Sequence, residues 1–324
     1  MKINTVLGPI DSKDMGITLI HEHIINIEWN FAHAFPGFYD RESVVGMFCE
    51  EMAALKPLGV RTFVDATPIT LGRDVQLMRE CSERSGVNII ACTGLYGQEY
   101  PFFHWGVDPQ VLADLMIREI EQGMEGTDSR PAFIKCATQT INGPSENNRS
   151  MLRAAAIAAK ATGLPIYTHT DTGSELGLYQ QQIFEEEGVD PRRIAYGHVF
   201  AAKKPGYLEE LARNGSFVGC DQIAFCDRGG LTTAGLAKRL AELSGAGLRP
   251  QLLLSCDAAL RSDFALTLSP LLRDREKNSL VLEGRREEML FNRMLPALTE
   301  NGFTQDMLRE LLELNPRRFF GEQI

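Results

Sequence analysis

Short apolar runs alternate with longer amphipathic stretches along the whole chain. The first run, Ile17-Thr18-Leu19-Ile20, leads directly into His21-Glu22-His23. Runs of similar length follow at 61–66, 88–93, 132–137, 165–169, 193–198, 216–221 and 251–257. They read as strands of a parallel sheet covered on both faces. Between them, helical patterns lie over 42–56, 71–85, 108–124, 146–162, 174–187, 204–213, 231–244, 283–300 and 304–315. About eight strand–helix units predict an α/β fold of the closed (β/α)8 type, a TIM barrel. A doubly wound open sheet is the structural alternative, but no Gly-x-Gly-x-x-Gly follows any strand to support its dinucleotide-binding form. No internal repeat or long linker interrupts the pattern, so a single domain over 1–324 is expected. The two long connections, 25–41 and 258–282, are expected to be lids or binding loops.

Charge narrows the partners. The formal net charge is -10 and the pI is near 5.2, which argues against nucleic acid and anionic membrane, since both want a basic face. No run approaches a transmembrane span, and no signal-peptide core follows Met1. Seven cysteines are scattered without a C-x-x-C pair, which reads as buried thiols in a reducing cytoplasm. The sequons at Asn148 and Asn214 are then chance matches.

The strand ends carry the chemistry. Residues i and i+2 of a strand share a side, so His21 and His23 project together. Lys135 lies within the fourth run, His169 ends the fifth, His198 the sixth and Asp257 the eighth. In a barrel all these ends open on one face. Nitrogen and oxygen donors without thiolate suit zinc, with manganese, cobalt or iron as alternatives. Lys135 would be repelled by cations unless burial and neighbouring charge freed its amine. A free amine adds carbon dioxide to give a carbamate, N6-carboxylysine, whose carboxylate can bridge two cations. His21, His23 and Asp257 would hold one metal, and His169 and His198 the other. Carboxylated Lys135 and a hydroxide would lie between them.

The chain resembles the phosphotriesterase family of the amidohydrolase superfamily, which includes phosphotriesterase-like lactonases and phosphotriesterase homology proteins. The resemblance rests on Thr5-Val6-Leu7-Gly8-Pro9-Ile10, the run from Gly16 to His23, Phe133-Ile134-Lys135 and Thr168-His169-Thr170. It continues through Glu187-Gly188-Val189-Asp190-Pro191, Tyr196-Gly197-His198 and the tail Asn315-Pro316-Arg317-Arg318-Phe319-Phe320. It implies a barrel with a binuclear metal centre, the ligand roles just given, and a homodimer. The metal-bridging hydroxide would attack an ester, lactone or phosphotriester, and Asp257 would move its proton.

Two departures from the family pattern stand out. No acid follows His198 within Val199-Phe200-Ala201-Ala202, where relatives often carry one in a proton relay. Gln222 stands where many relatives have Arg. Around the expected mouth, Trp29, Phe31, Tyr96, Tyr100, Phe102, Phe103 and Trp105 suggest an apolar pocket. Tyr96 resembles a tyrosine that lactonases of this family place near the metals. Arg261, four residues after Asp257, resembles the homology-protein branch, and with Arg228, Lys203 or Lys204 it could hold an anionic group. His33 and His104 read as loop histidines. The expected function is a lactonase or esterase with weak phosphotriesterase activity, acting on a small lactone or ester. A phosphorylated sugar lactone hydrolase, a phosphotriesterase (aryldialkylphosphatase) and a barrel that binds a hydrophobic ligand without turnover are the alternatives.

Overall fold

The computed structural model describes residues 1–96, 106–139, 144–227, 231–262 and 286–324. Two short strands, β1 (Lys2–Thr5) and β2 (Gly8–Asp11), form an antiparallel hairpin that the apolar pattern does not reveal. The barrel strands follow: β3 (Ile17–Asn26), β4 (Val60–Asp65), β5 (Asn88–Gly94), β6 (Phe133–Thr138), β7 (Ile166–Thr170), β8 (Ile194–Gly197), β9 (Phe217–Cys220) and β10 (Leu252–Leu254). Each pairs in parallel with the next. A further strand, β11 (Ala259–Ser262), lies inside the predicted loop 258–282 and pairs in parallel with β3. The eighth strand is thus split. Its first half bonds β9 and its second half bonds β3, and the break between them carries Asp257. Backbone bonds from Asp257 N–H to the His21 carbonyl and from His23 N–H to the Ala258 carbonyl complete the closure. The fold is a (β/α)8-type barrel.

Helices cover the outside: α1 (Trp29–Ala34), α2 (Arg41–Leu55), α3 (Val75–Ser85), α4 (Pro109–Gln122), α5 (Glu146–Thr162), α6 (Leu176–Glu186), α7 (Tyr207–Ala212) and α8 (Thr233–Gly245). Helical segments from Arg286 to Glu300 and from Gln305 to Phe319 complete the chain. Several start where the sequence offers a cap: the side chains of Asp40, Asp74, Ser145 and Thr232 each accept a backbone N–H of the first turn. α1 falls within the predicted loop 25–41. Its six residues bury none of their side chains fully, so its apolar content lacks a helical face.

The barrel interior is layered. Ile20, Val64, Ile90, Phe133, Tyr167, Ala195, Phe217 and Leu253, one from each of β3 to β10, belong to one buried cluster. Phe319 from the C-terminal segment packs edge-on against Phe133, Tyr167 and Phe217. Two residues further along their strands stand Lys135 after Phe133 and His169 after Tyr167. Strand periodicity therefore places the polar side chains in the next layer on the same inner face. In β3, Leu19 to Glu22 spans only Phe63 to Asp65 of β4, a bulge. It accommodates Ile20 in the apolar layer while His21 and His23 reach the polar one.

Candidate metal centre

His21, His23, Lys135 and His198 are all buried to 5% exposure or less. Ring centroids of His21 and His198 lie 4.9 Å apart, those of His169 and His198 4.5 Å, and those of His21 and His23 5.6 Å. The Asp257 carboxylate faces them, with Oδ1 3.3 Å from His23 Nε2 and Oδ2 3.7 Å from His198 Nε2. Ligand atoms of His21, His198 and Asp257 all lie within 4.8 Å of one another. Six side chains from four strands and a strand break thus converge where strand ends alone placed them.

The outer nitrogens of three of these rings are already committed. Asp221 Oδ2 lies 2.9 Å from His21 Nδ1, and Asp221 Oδ1 lies 2.9 Å from His198 Nδ1. Tyr167 donates its hydroxyl to Asp221 Oδ2 at 2.7 Å, and the His198 backbone N–H donates to Oδ1 at 2.9 Å. Thr67 Oγ1 stands 2.7 Å from His23 Nδ1 and donates its own proton to the Ile25 carbonyl. Acceptors on Nδ1 leave Nε2 of His21, His23 and His198 as lone-pair donors aimed inward, the arrangement a metal ligand needs. Gly219 makes this possible. A Cβ there would stand 2.6 Å from both Asp221 Oδ2 and the Tyr167 hydroxyl.

Lys135 is the test of fit. Its Nζ lies 3.0 Å from His21 Nε2 and 5.2 Å from the Tyr167 ring centre. Among the described residues no carboxylate comes within ion-pair distance of it. A buried ammonium without a counter-charge is costly, and burial pushes this amine below the usual lysine range. An amine whose charged form burial disfavours, facing imidazole donors, fits a carbamate bridge. The histidines agree: burial and then the neighbouring Lys135 drive His21 down to about 3. Burial, then His198 and Lys135, hold His169 well below the usual range. Both rings are therefore neutral. Burial would raise Asp257, but His198 and then the other rings around it outweigh that and keep the carboxyl ionised. His198 (φ 62°) and Asp257 (φ 55°) both occupy left-handed backbone, which non-glycine residues adopt mainly where their surroundings fix it.

Other expected site residues fall differently. Tyr96 is buried, and its hydroxyl lies 3.2 Å from the His169 ring and accepts from Gln139 Nε2 at 3.2 Å. Gln222 donates to Asp257 Oδ2 at 3.4 Å and accepts from Thr172 Oγ1. Trp29 is 46% exposed, stacks on His33 and lines a separate cavity with Ile27, Tyr39 and Arg73. Phe31 packs against the core beside Phe35 and Phe38. Lys203 and Lys204 line a cavity of about 720 Å³ that reaches Gln222. Arg228, the Arg261 side chain, Tyr100, Phe102, Phe103, His104, Trp105 and most of the loop 258–282 lie outside the described residues. Asp221, Tyr167 and Thr67 are not singled out by sequence. Asp221, directly after β9, bonds the His198 ring and backbone and the His21 ring, so it orients ligands rather than replacing the acid missing after His198.

The chain matches the model of the phosphotriesterase family over residues 1–320. It belongs to that family. It is 35% identical to a phosphotriesterase homology protein of Mycobacterium tuberculosis, covering 99% of this chain and 98% of that one. It is 31% identical to an aryldialkylphosphatase of Saccharolobus solfataricus, covering 96% and 97%. A phospho-furanose lactonase of Mycoplasmopsis agalactiae is 26% identical over 98% of this chain and 91% of its own. The solved structure of the phosphotriesterase from Mycobacterium tuberculosis superposes with a TM-score of 0.86 at 34% identity, covering 99% and 98%. As a member of this family the protein is a hydrolase acting on ester bonds, and it carries a candidate metal-binding His/Asp group.

Proposed function

We propose that this chain hydrolyses a lactone or carboxylic ester, with weak activity on phosphotriesters. The observation that carries the reading is the inward-facing donor set around a buried, uncompensated Lys135. His21, His23 and Asp257 would hold one divalent cation, most simply zinc, and His169 and His198 a second, with Lys135 between them as its carbon dioxide adduct. Bound there, the cations would supply an ionised water at neutral pH and a Lewis acid for the ester oxygen.

The remaining steps belong to side chains. Asp257, kept ionised and steadied by Gln222, accepts the proton of the attacking water and returns it to the leaving oxygen. Asp221 holds His21 and His198 in the tautomer that presents Nε2. Burial first, and then Asp257, raises the Tyr96 phenol far above neutrality, so it stays protonated. Beside His169, its hydroxyl can donate to a substrate oxygen.

Substrate choice follows from the cavity against Gln222. Phe200, Phe225 and Leu231 give it apolar walls suited to an acyl chain, whereas Lys203 and Lys204 on its rim favour a second reading, a phosphorylated lactone. Zinc- and bicarbonate-treated protein should open acyl lactones of graded chain length. It should turn over phosphotriesters far more slowly. Both activities should disappear with chelator and in Lys135→Ala. Lactone turnover that survives chelation and the substitution would overturn the reading, and preference for phosphorylated lactones would select the second one.

A further inference from the structure

Glu22 stands between the two histidines of β3, and strand alternation turns it away from the barrel interior. Its carboxylate is fully buried and makes four hydrogen bonds. Oε1 accepts from Ser255 Oγ at 2.7 Å and from the Cys256 N–H at 2.8 Å. Oε2 accepts from the Ala258 N–H at 3.0 Å and from Arg286 Nε at 2.8 Å. Three of the four donors belong to Ser255, Cys256 and Ala258, the residues that flank Asp257. Asp257 itself sits at the break in the eighth strand, in left-handed backbone.

Arg286 backs this bracket from outside. It bonds Glu51 Oε2 at 2.6 Å and the His23 carbonyl at 3.2 Å, and it also reaches the Ala258 carbonyl. Buried ion pairs are weak stabilisers in their own right, because desolvation cancels much of the attraction. A pair serving only the fold would have no need to place its acceptors on the backbone either side of Asp257.

We infer that Glu22 is a positioning residue that sets Asp257 against His21 and His23 and so fixes the donor spacing for the first cation. The inference rests on the hydrolase reading above. Glu22→Gln preserves the size of the side chain but turns one acceptor oxygen into a donor amide, which then faces an N–H or the guanidinium. The full chain, loaded with zinc and bicarbonate, is compared with the wild type by zinc retention against graded chelator, by kcat and KM on a lactone the wild type opens, and by melting.

The variant should hold zinc about 10- to 100-fold less tightly, as loss of an orienting partner does elsewhere. Its kcat should fall with KM little changed. Ser255→Ala removes one of the four bonds together with the acceptor of the His21 N–H, which Ser255 Oγ meets at 3.0 Å, so it should shift zinc retention in the same direction without isolating Glu22. A cooperatively folded Glu22→Gln that retains zinc and kcat like the wild type makes Glu22 purely structural and overturns the inference. If Glu22→Gln does not fold, Glu22→Asp, which keeps the charge but draws the carboxylate back from the Cys256 and Ala258 N–H groups, decides by the same readouts. A wild type that binds zinc yet hydrolyses none of the lactones overturns the functional reading alone, because the chelator titration still separates the variants.

Discussion

Asp221 shows how much one carboxylate can organise. Its two oxygens take up a ring nitrogen of His21, a ring nitrogen and backbone N–H of His198, and the Tyr167 hydroxyl. An amide has one acceptor oxygen, so Asp221→Asn cannot satisfy both rings in the same tautomer. One imidazole must then present a protonated Nε2 inward. The expected result is a folded protein, destabilised by about 1–3 kcal/mol for the unsatisfied buried groups, with zinc affinity reduced about 10- to 100-fold. Metal analysis after dialysis against chelator, alongside urea melts, checks both parts, and zinc retention equal to the wild type would show that Asp221 does not orient the rings. The same residue marks a limit of sequence reading. The five polar side chains other than Lys135 stand out as histidines or an acid at strand ends. Asp221 also follows a strand, but an orienting carboxylate there looks the same in sequence as a helix cap. Thr67 and Tyr167 are still less visible, because their roles depend on which ring they meet.

At the level of elements, apolar runs predict every barrel strand from β3 to β10 to within a few residues, because strands buried on both faces leave an unbroken signature. What escapes is local. The hairpin of β1 and β2 is only four residues per strand, and β11 carries too short a run to separate from a loop. The position of Lys135 also depends on contact between neighbouring strands. Gly94 closes β5 opposite Lys135 in the β5–β6 register, with φ 116°. A Cβ there would collide with the Lys135 carbonyl oxygen. Gly94→Ala therefore meets both left-handed strain and a backbone clash, and should cost about 3 kcal/mol or more. A barrel of this size would then melt several degrees lower, on the order of 6 °C or more. Calorimetry reads the shift, and an unchanged melting temperature would mean that the β5–β6 approach is looser than the register requires.

Across the whole molecule, the polar layer makes the metal-free barrel depend on pH. His169 is held neutral in the folded chain by burial first and then by His198 and Lys135 beside it, whereas an unfolded histidine titrates near 6.5. Below that value the unfolded chain takes up a proton that the folded one refuses. Its contribution to stability is therefore complete above about pH 6.5 and is lost as pH falls, at up to about 1.4 kcal/mol per pH unit. His21, driven down to about 3, acts with the same sign over the window from 6.5 to about 3. His198 is raised, because Asp221 and Asp257 overcome its burial, and so it acts with the opposite sign and only as pH rises above the unfolded value. Burial likewise raises Glu22 and Asp65, which favours the folded chain in acid. The net slope mixes these contributions, but a comparison isolates one of them. Chelator-treated wild type and His169→Asn, unfolded with urea at steps from pH 6.5 to 4.5, share every group except that imidazole. The wild type should lose stability more steeply on acidification than the variant. Parallel curves would mean that the His169 ring takes up its proton in the native barrel as readily as in the unfolded chain, so that burial does not hold it neutral.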